Sequence, residues 1–189
     1  MTSRAYLKLL AALTAAFACA LPAAASASDS GGAAYQSTSS SSYKKATVKD
    51  GKAIAPSNAP QTVKDVIKAA NRIVTKPYRY GGGHGKWEDS AYDCSGSVSY
   101  ALHGGGLLDS PMPSSGFMHW AKGGTGKWIT VYANSGHAFM VVAGLRFDTG
   151  YRDDWGREHG AKSGSGPRWG KPRPTSGFVA RHPALPSGS

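Results

Sequence analysis

Two residues, Cys94 and His137, have the types and positions that nucleophilic catalysis requires. The chain has 2 cysteines, and Cys19 lies in an apolar run near the N-terminus that export would remove. Cys94 would then have no disulfide partner within the chain, and an odd cysteine in an exported protein indicates intermolecular pairing, a reactive thiol or a buried inert residue, among which the local sequence favours the reactive thiol. His137 begins the most apolar predicted strand, directly after a turn at 134–136. A thiol with an imidazole as its base predicts acyl-transfer chemistry.

The sequence places Cys94 at the start of a helix. Asp93 is a favourable N-cap residue, and Val98, Ala101 and Leu102 follow on one helical face. The thiolate is the reacting form of cysteine, and the positive end of a helix stabilises an anion. The unpaired amides at that end can also donate to the oxyanion of a tetrahedral intermediate. The predicted helix therefore supplies both a favourable charge and hydrogen-bond donors.

Asp148 is the predicted third member of the site. It ends the strand that follows His137, so a hairpin would return its carboxylate to the imidazole and fix one tautomer. Taken singly, Asp93 has a simpler explanation as a cap, His137 as a solvated strand residue and Asp148 as a turn or salt-bridge residue. Taken together, Cys94, His137 and Asp148 make an ordered set of nucleophile, base and orienting residue.

The other histidines do not indicate a metal site. They lie in predicted loops or at helix ends: His84, His103, His119, His159 and His182. None of them shows the spacing of paired metal ligands, such as two histidines separated by three residues. The sequence therefore predicts that the site holds no metal.

A first helix is predicted over 62–75. Residues 62–65 fit a capping pattern for a helix start, and apolar residues then recur at helical spacing. Pro77 requires an extended segment after this helix. The three glycines at 81–83 predict a loop that allows close backbone approach and delivers the chain to Cys94.

Short runs rich in β-branched and aromatic residues predict strands in the second half of the chain. These runs are 128–132, 138–142, 145–148 and 177–180. Gly144 predicts a tight hairpin between the second and third of them. Residues 149–176 show no periodicity and predict an irregular surface insertion without a further element. Helices followed by strands predict an α+β domain in which the helix carrying Cys94 packs on an antiparallel sheet.

The N-terminal residues predict export. Residues 1–27 contain Arg4 and Lys8, then an apolar run, then small residues ending at Ala27, which is the pattern of a secretory signal peptide. The apolar run is too short to span a bilayer, so no stable membrane insertion is expected. Residues 28–60 are rich in Ser, Ala and Lys and predict a flexible linker. One domain over 61–186 remains, and we expect it to be monomeric.

The charge of the chain predicts an anionic partner. Removal of Arg4 and Lys8 with the signal peptide lowers the 22 Lys and Arg residues to 20, against 11 Asp and Glu. A cationic exported protein is attracted to anionic cell-wall polymers or lipid head groups. Nucleic acid is not expected, because no basic helix with interleaved aromatic residues and no nucleic-acid reader motif is present.

The sequence around Cys94 resembles the NlpC family of papain-like cell-wall peptidases. The resemblance rests on Asp93-Cys94-Ser95-Gly96, on the segment 77–82 with its tyrosine and glycine pair, and on the strand that begins with His137. It implies a papain-like fold and hydrolysis of the peptidoglycan stem peptide between the γ-carboxyl of D-glutamate and the diamino acid. It also implies that catalysis needs no cofactor.

The same resemblance assigns roles to individual residues. It implies Cys94 as nucleophile and His137 as base. It implies further that Tyr78, Asp93 and Ser95 line the pocket that holds the free amino end of the stem peptide. The third polar residue of the family corresponds to Asp148, or to Arg146 with a change of register.

Two other functions remain open from the sequence. One is a catalytically inactive domain that binds the cell wall. The other is an amidase or acyltransferase on the same fold, because a thioester intermediate can be resolved by water or by an amine.

Overall fold

The computed structural model describes residues 44–151 and 164–185. The predicted signal peptide at 1–27 and the first part of the predicted linker, 28–43, lie outside the described residues. So does the middle of the predicted insertion, 152–163. Within the two described ranges, no helix combines the length and apolar character needed to cross a membrane.

The described residues form three helices and eight strands. The helices are α1 (Gln61–Ile73), α2 (Cys94–Gly104) and α3 (Ser114–Phe117). The strands are β1 (Thr47–Lys49), β2 (Lys52–Ile54), β3 (Lys122–Gly123), β4 (Ile129–Ala133), β5 (Ala138–Val142), β6 (Leu145–Asp148), β7 (Arg168–Gly170) and β8 (Val179–His182).

Strands β3 to β8 form one antiparallel sheet with the order β3-β8-β4-β5-β6-β7. Helix α2 packs against β5 and β6, and α1 packs against α2. The α+β class and the helix carrying Cys94 on an antiparallel sheet are therefore confirmed. Tight packing of α2 on β5 and β6 places its first residue next to the strand that His137 precedes.

The predicted first helix is confirmed with a different start. Its apolar face is buried as its spacing predicts, at Val63, Val66, Ile67, Ala70 and Ile73. The predicted start at residue 62 with a side-chain cap is wrong. Pro60 is the N-cap and the helix begins one residue later, without a side-chain capping bond. The first bonds of the helix are accepted by the Pro60 carbonyl oxygen, from the Val63 amide at 3.0 Å and the Lys64 amide at 3.1 Å.

The predicted flexible linker is wrong for its last part, because β1 and β2 form an antiparallel hairpin there. The hairpin is tied to α1 by Asn71. The backbone amide of Ala53 donates to Asn71 Oδ1 at 2.9 Å, and Asn71 Nδ2 donates to the carbonyl oxygen of Ala53 at 2.8 Å. Composition did not reveal the hairpin, because it is stabilised by these polar bonds and by only a few buried alanines, Ala46, Ala53 and Ala59.

The described part of the predicted insertion at 149–176 contains an element that the sequence analysis missed. Strand β7 pairs with β6 and forms an edge of the sheet. Trp169 in β7 packs against Phe147 with ring centroids 4.8 Å apart, and its indole Nε1 donates to Asn71 Oδ1 at 2.8 Å. With only three residues, β7 is too short to produce a periodic pattern.

Alanine substitutions at individual glycines of the loop before Cys94 test its backbone conformation, because these glycines differ in φ and in the space around them. Gly83 has φ +82°, and a Cβ there would lie 2.5 Å from Cδ1 of the buried Tyr92. Gly83→Ala should lower the free energy of unfolding by about 2–4 kcal/mol, because a left-handed backbone and a steric clash add. Chemical denaturation measures this change.

Two neighbouring glycines serve as matched controls. Gly81 has φ +75° but open space around a built Cβ, so Gly81→Ala should cost only about 1 kcal/mol of backbone strain. Gly85 has open space and no positive φ, so Gly85→Ala should change stability by less than about 0.5 kcal/mol. Equal losses at all three positions would show that the loop is not held in the conformation described.

Candidate active site

Cys94 is the first residue of α2 and a free cysteine with intermediate burial. The predicted cap is confirmed: Asp93 Oδ1 accepts a hydrogen bond from the Gly96 amide at 2.7 Å. The other oxygen, Oδ2, accepts from the Gly81 amide at 3.0 Å. Asp93 thus joins the glycine loop to the helix start and fixes the position of the sulfur.

His137 directly precedes β5 and is positioned by Asn134. The side-chain oxygen of Asn134 accepts from the backbone amides of Gly136 at 3.0 Å and of His137 at 2.9 Å. An asparagine that bonds its own backbone two and three residues later makes a compact local turn. The turn predicted at 134–136 therefore sets the backbone from which the imidazole projects.

The register of β5 and β6 brings Asp148 to His137. Met140 pairs with Phe147, so one residue further along the same register Asp148 lies across from Phe139. His137 precedes Phe139 by two residues and therefore shares its face of the sheet. His137 Nε2 lies 2.9 Å from Asp148 Oδ1. The carboxylate accepts from Nε2, so Nδ1 is the ring nitrogen that remains available for proton transfer.

The electrostatics of this group favour a charged imidazole. Burial alone lowers the pKa of His137, but the hydrogen bonds with Asp148 and Cys94 outweigh it and raise that pKa to about 9. Burial also raises the pKa of Asp148, yet the bonds from His137 and from the Gly150 amide bring it below its usual value. At neutral pH the pair is therefore an imidazolium and a carboxylate.

Two arginines flank the second oxygen of Asp148. Arg146 Nε lies 3.5 Å and Arg173 Nη1 lies 3.6 Å from Asp148 Oδ2. Arg146 stacks on the Tyr151 ring at 3.8 Å, and Arg173 lies over the Phe139 ring at 5.5 Å. Asp148, and not Arg146, hydrogen bonds to His137. The sequence analysis did not identify Arg173, which belongs to the predicted insertion.

A cleft of about 510 Å³ adjoins Cys94. The three residues assigned to substrate binding by resemblance, Tyr78, Asp93 and Ser95, all line this cleft. Burial, followed by the charges of Cys94 and Asp93, raises the pKa of Tyr78 above its usual value. Its hydroxyl therefore remains a neutral donor beside the sulfur.

His84 is a cleft residue that sequence reasoning missed. Its Nε2 lies 3.0 Å from Asp93 Oδ1 and 3.1 Å from Ser95 Oγ. The sequence analysis placed His84 in a loop with no assigned role. The available signal was its position directly after the three glycines, which allow the loop to return to the start of α2. Among the described residues, no group of three or more His, Cys, Asp or Glu side chains has a metal-binding arrangement.

No protein-family model and no curated protein matches the chain. Among solved structures, the chain is similar to the peptidoglycan hydrolase RipB from Mycobacterium tuberculosis, with 20% sequence identity, a TM-score of 0.47 and 68% of each chain covered. It is also similar to a mutated form of the Resuscitation Promoting Factor Interacting protein RipA, with 19% identity, a TM-score of 0.47 and coverage of 72% of this chain and 70% of that one.

A third similar structure is a hypothetical invasion protein of Mycobacterium tuberculosis, with 18% identity, a TM-score of 0.46 and coverage of 72% and 70%. At these identities and TM-scores the likeness says nothing about the chemistry of this chain, which rests on its own side chains.

Proposed function

We propose that the protein is a secreted cysteine endopeptidase that hydrolyses peptidoglycan stem peptides between the γ-carboxyl of D-glutamate and the diamino acid. The observation that carries the proposal is the 2.9 Å contact of Asp148 Oδ1 with His137 Nε2, together with a thiol at the start of α2 whose interaction with His137 helps to raise the pKa of the imidazole. Nucleophile, base and orienting carboxylate then stand in the order that acyl transfer requires. The cleft beside Cys94 provides room for a peptide.

In the first half of the reaction, the thiolate form of Cys94 attacks the γ-carbonyl carbon and a C–S bond forms. The carbonyl oxygen becomes an oxyanion, for which the backbone amides at the start of α2 and the neutral Tyr78 hydroxyl are the available donors. The C–N bond then breaks. His137, as imidazolium, gives its proton to the leaving amine of the diamino acid, and a thioester remains.

In the second half, water replaces the departed amine. Neutral His137 takes a proton from the water, and the resulting hydroxide attacks the thioester carbonyl. The C–S bond breaks and the Cys94 thiolate returns, the γ-carboxyl group of D-glutamate leaves and loses its proton to solvent, and His137 is again the imidazolium. Asp148 accepts from His137 Nε2 throughout and holds the ring in one orientation.

Charge and the cleft support the proposed substrate and location. Asp93 lines the cleft, and a carboxylate suits the ammonium group at the amino end of a stem peptide. The cationic chain suits the anionic polymers of the cell wall. Residues 1–27 are proposed to direct export and 28–43 to connect the folded domain to that leader.

Digestion of purified cell walls tests the proposal. Mass spectrometry of the released fragments should show a new amino terminus at the diamino acid and a new γ-carboxylate on D-glutamate. Protein alkylated with iodoacetamide is a matched control, because Cys94 is the only cysteine beyond residue 27. Fragments that carry an added amine in place of water would instead identify an acyltransferase, and equal release by alkylated protein would exclude a thiol mechanism.

The raised pKa of His137 predicts the pH dependence of cleavage. The leaving amine needs the imidazolium, which is present below about pH 9 and is lost above it. The rate constant kcat/KM should therefore fall on the alkaline side with a midpoint near pH 9, measured on a synthetic stem peptide. A midpoint near pH 6.5, the ordinary value for histidine, would show that Asp148 and Cys94 do not stabilise the imidazolium.

A further inference from the structure

Asp148 faces three cations, and the proposed mechanism uses only one of them. Its Oδ1 accepts the bond from His137 at 2.9 Å. Its Oδ2 lies 3.5 Å from Arg146 Nε and 3.6 Å from Arg173 Nη1, and it has no hydrogen-bond partner among the described residues. The Asp148 side chain is 0% exposed, so salt and water screen these charges only weakly. Both guanidinium groups therefore act on the carboxylate by charge, in competition with the imidazolium.

The two arginines reach the carboxylate in different ways. Arg146 belongs to β6, its side chain is 11% exposed, and its guanidinium stacks on the Tyr151 ring at 3.8 Å. Arg173 comes from the segment between β7 and β8, and its side chain is 38% exposed. Its guanidinium lies over the rings of Phe139 at 5.5 Å and Phe178 at 5.6 Å. Arg173 can therefore be replaced with less disturbance of the core than Arg146.

The rings that hold Arg173 also flank the imidazole. The centroid of the His137 ring lies 6.2 Å from that of Phe139 and 6.3 Å from that of Phe178. The two phenyl rings meet edge to face with centroids 5.0 Å apart. A planar guanidinium stacks well on aromatic faces, so these rings fix where it lies. One aromatic pair thus directs both Arg173 and His137 to the same carboxylate.

The guanidinium of Arg173 opposes the charge of the imidazolium. A like charge disfavours the charged form of a titratable group, and a carboxylate that shares its charge with arginines attracts the His137 proton less strongly. His137 gives its proton to the leaving amine and later takes one from water. A carboxylate paired with His137 alone would hold that proton more tightly and would slow its release.

The other groups around this pair do not obscure the effect of Arg173. Within the described part of the chain, Cys94 and Tyr151 are titratable groups that act on the pair, and Tyr78 lies beside the thiol. Burial raises the pKa of both phenols, so they stay neutral through the transition of the imidazole near pH 9. Arg146 keeps its charge. Cys94 is present in every protein compared, so a difference between them reports on Arg173.

We propose that Arg173 is a positioning residue of the active site: it holds Asp148 through Oδ2 and shares its charge, so that His137 can both release and regain its proton. The proposal deepens the proposed function and rests on it for the reaction. It also gives the segment between β7 and β8 a part in catalysis, because that segment carries Arg173 to the pair.

A titration of His137 by NMR tests the proposal without turnover. Histidine is isotopically labelled, and the His137 signal is assigned as the one that the His137→Gln variant lacks. The midpoint, near pH 9 in the unmodified protein, should move up by about 0.5–1 pH unit in the Arg173→Met variant, because a cation is removed. The alkaline limb of kcat/KM should move in the same direction, and kcat/KM at neutral pH should fall by about tenfold as Asp148 is held less well.

Three further variants separate charge from other effects. Arg173→Lys keeps the charge without the planar group, so the midpoint should stay within about 0.3 pH unit of the unmodified protein. Arg173→Gln is a second neutral variant and should repeat the shift of Arg173→Met if that variant does not fold. Lys171→Met removes an exposed cation two residues away and should leave the midpoint unchanged. Circular dichroism checks that each variant is folded.

The direction of the shift distinguishes the proposal from a purely structural role. A variant that only lost the position of Asp148 would weaken its bond to His137 and move the midpoint down. An unchanged or lowered midpoint in the neutral variants, or an equal rise in the Lys171→Met variant, would overturn the proposal. Digestion of cell walls by the unmodified protein reports separately on the proposed function. Absent digestion together with a raised midpoint would remove the proposed reaction and keep the action of Arg173 on the pair.

Discussion

Cys94→Ala should lower the release of stem-peptide fragments from purified cell walls by at least about 10⁴-fold, because the C–S bond can no longer form. The thiol is partly exposed at the start of α2, and its removal leaves Asp93 and the capping bond to Gly96 in place. The free energy of unfolding should therefore change by less than about 1 kcal/mol. Mass spectrometry measures release, and chemical denaturation measures stability.

A comparison of release with binding separates the two main functions. The Cys94→Ala variant should still bind cell walls, because the charges that attract an anionic polymer are retained. Ser97→Ala is a control on the same helix, since this hydroxyl donates to the Cys94 carbonyl oxygen and takes no part in acyl transfer. If the unmodified protein and the variant bind equally and neither releases fragments, the protein is an inactive wall-binding domain.

Asp148→Asn should lower kcat/KM by about 10² to 10⁴-fold, because a neutral amide neither selects the same tautomer of His137 nor stabilises the imidazolium. The alkaline limb of the pH profile should move to lower pH, since the pKa of His137 is raised in part by this carboxylate. The variant should also be less stable by about 3 kcal/mol, because Arg146 and Arg173 lose the buried charge they face.

Asp109→Asn is the matched control, since Asp109 is exposed and the substitution changes the same charge. It should leave activity, the pH profile and stability unchanged. Rates of both variants are compared at a temperature at which denaturation curves show more than nine tenths of each protein folded. Unchanged activity in the Asp148→Asn variant under those conditions would remove Asp148 from the proposed site.

The parts of the fold set by local signals could be predicted from the sequence. The apolar spacing after Val63 predicts α1, and Asp93 predicts the start of α2 because a cap acts within one turn. The tight hairpin between β5 and β6 follows from Gly144, which has φ +83°. Once that hairpin is given, the register alone brings Asp148 to the face of the sheet that His137 occupies.

The parts that depend on distant partners could not be predicted. His84 gains its position through Asp93, and Arg173 lies at Asp148 because a later segment returns to the sheet. Strand β7 exists through its pairing with β6 and has too few residues for a pattern of its own. Such contacts depend on how the elements pack, which a scan of neighbouring residues does not contain.

The two hydrogen bonds that Asn71 Oδ1 accepts affect the order in which parts of the domain fold. Asn71 reaches Ala53 across 18 residues and Trp169 across 98 residues. Closing the longer segment costs about 1.5 kcal/mol more chain entropy than closing the shorter one. During synthesis from the amino end, the β1–β2 hairpin can pack against α1 long before Trp169 has been made. The hydrogen bond from the Trp169 indole to Asn71 therefore forms late, once nearly the whole polypeptide is present.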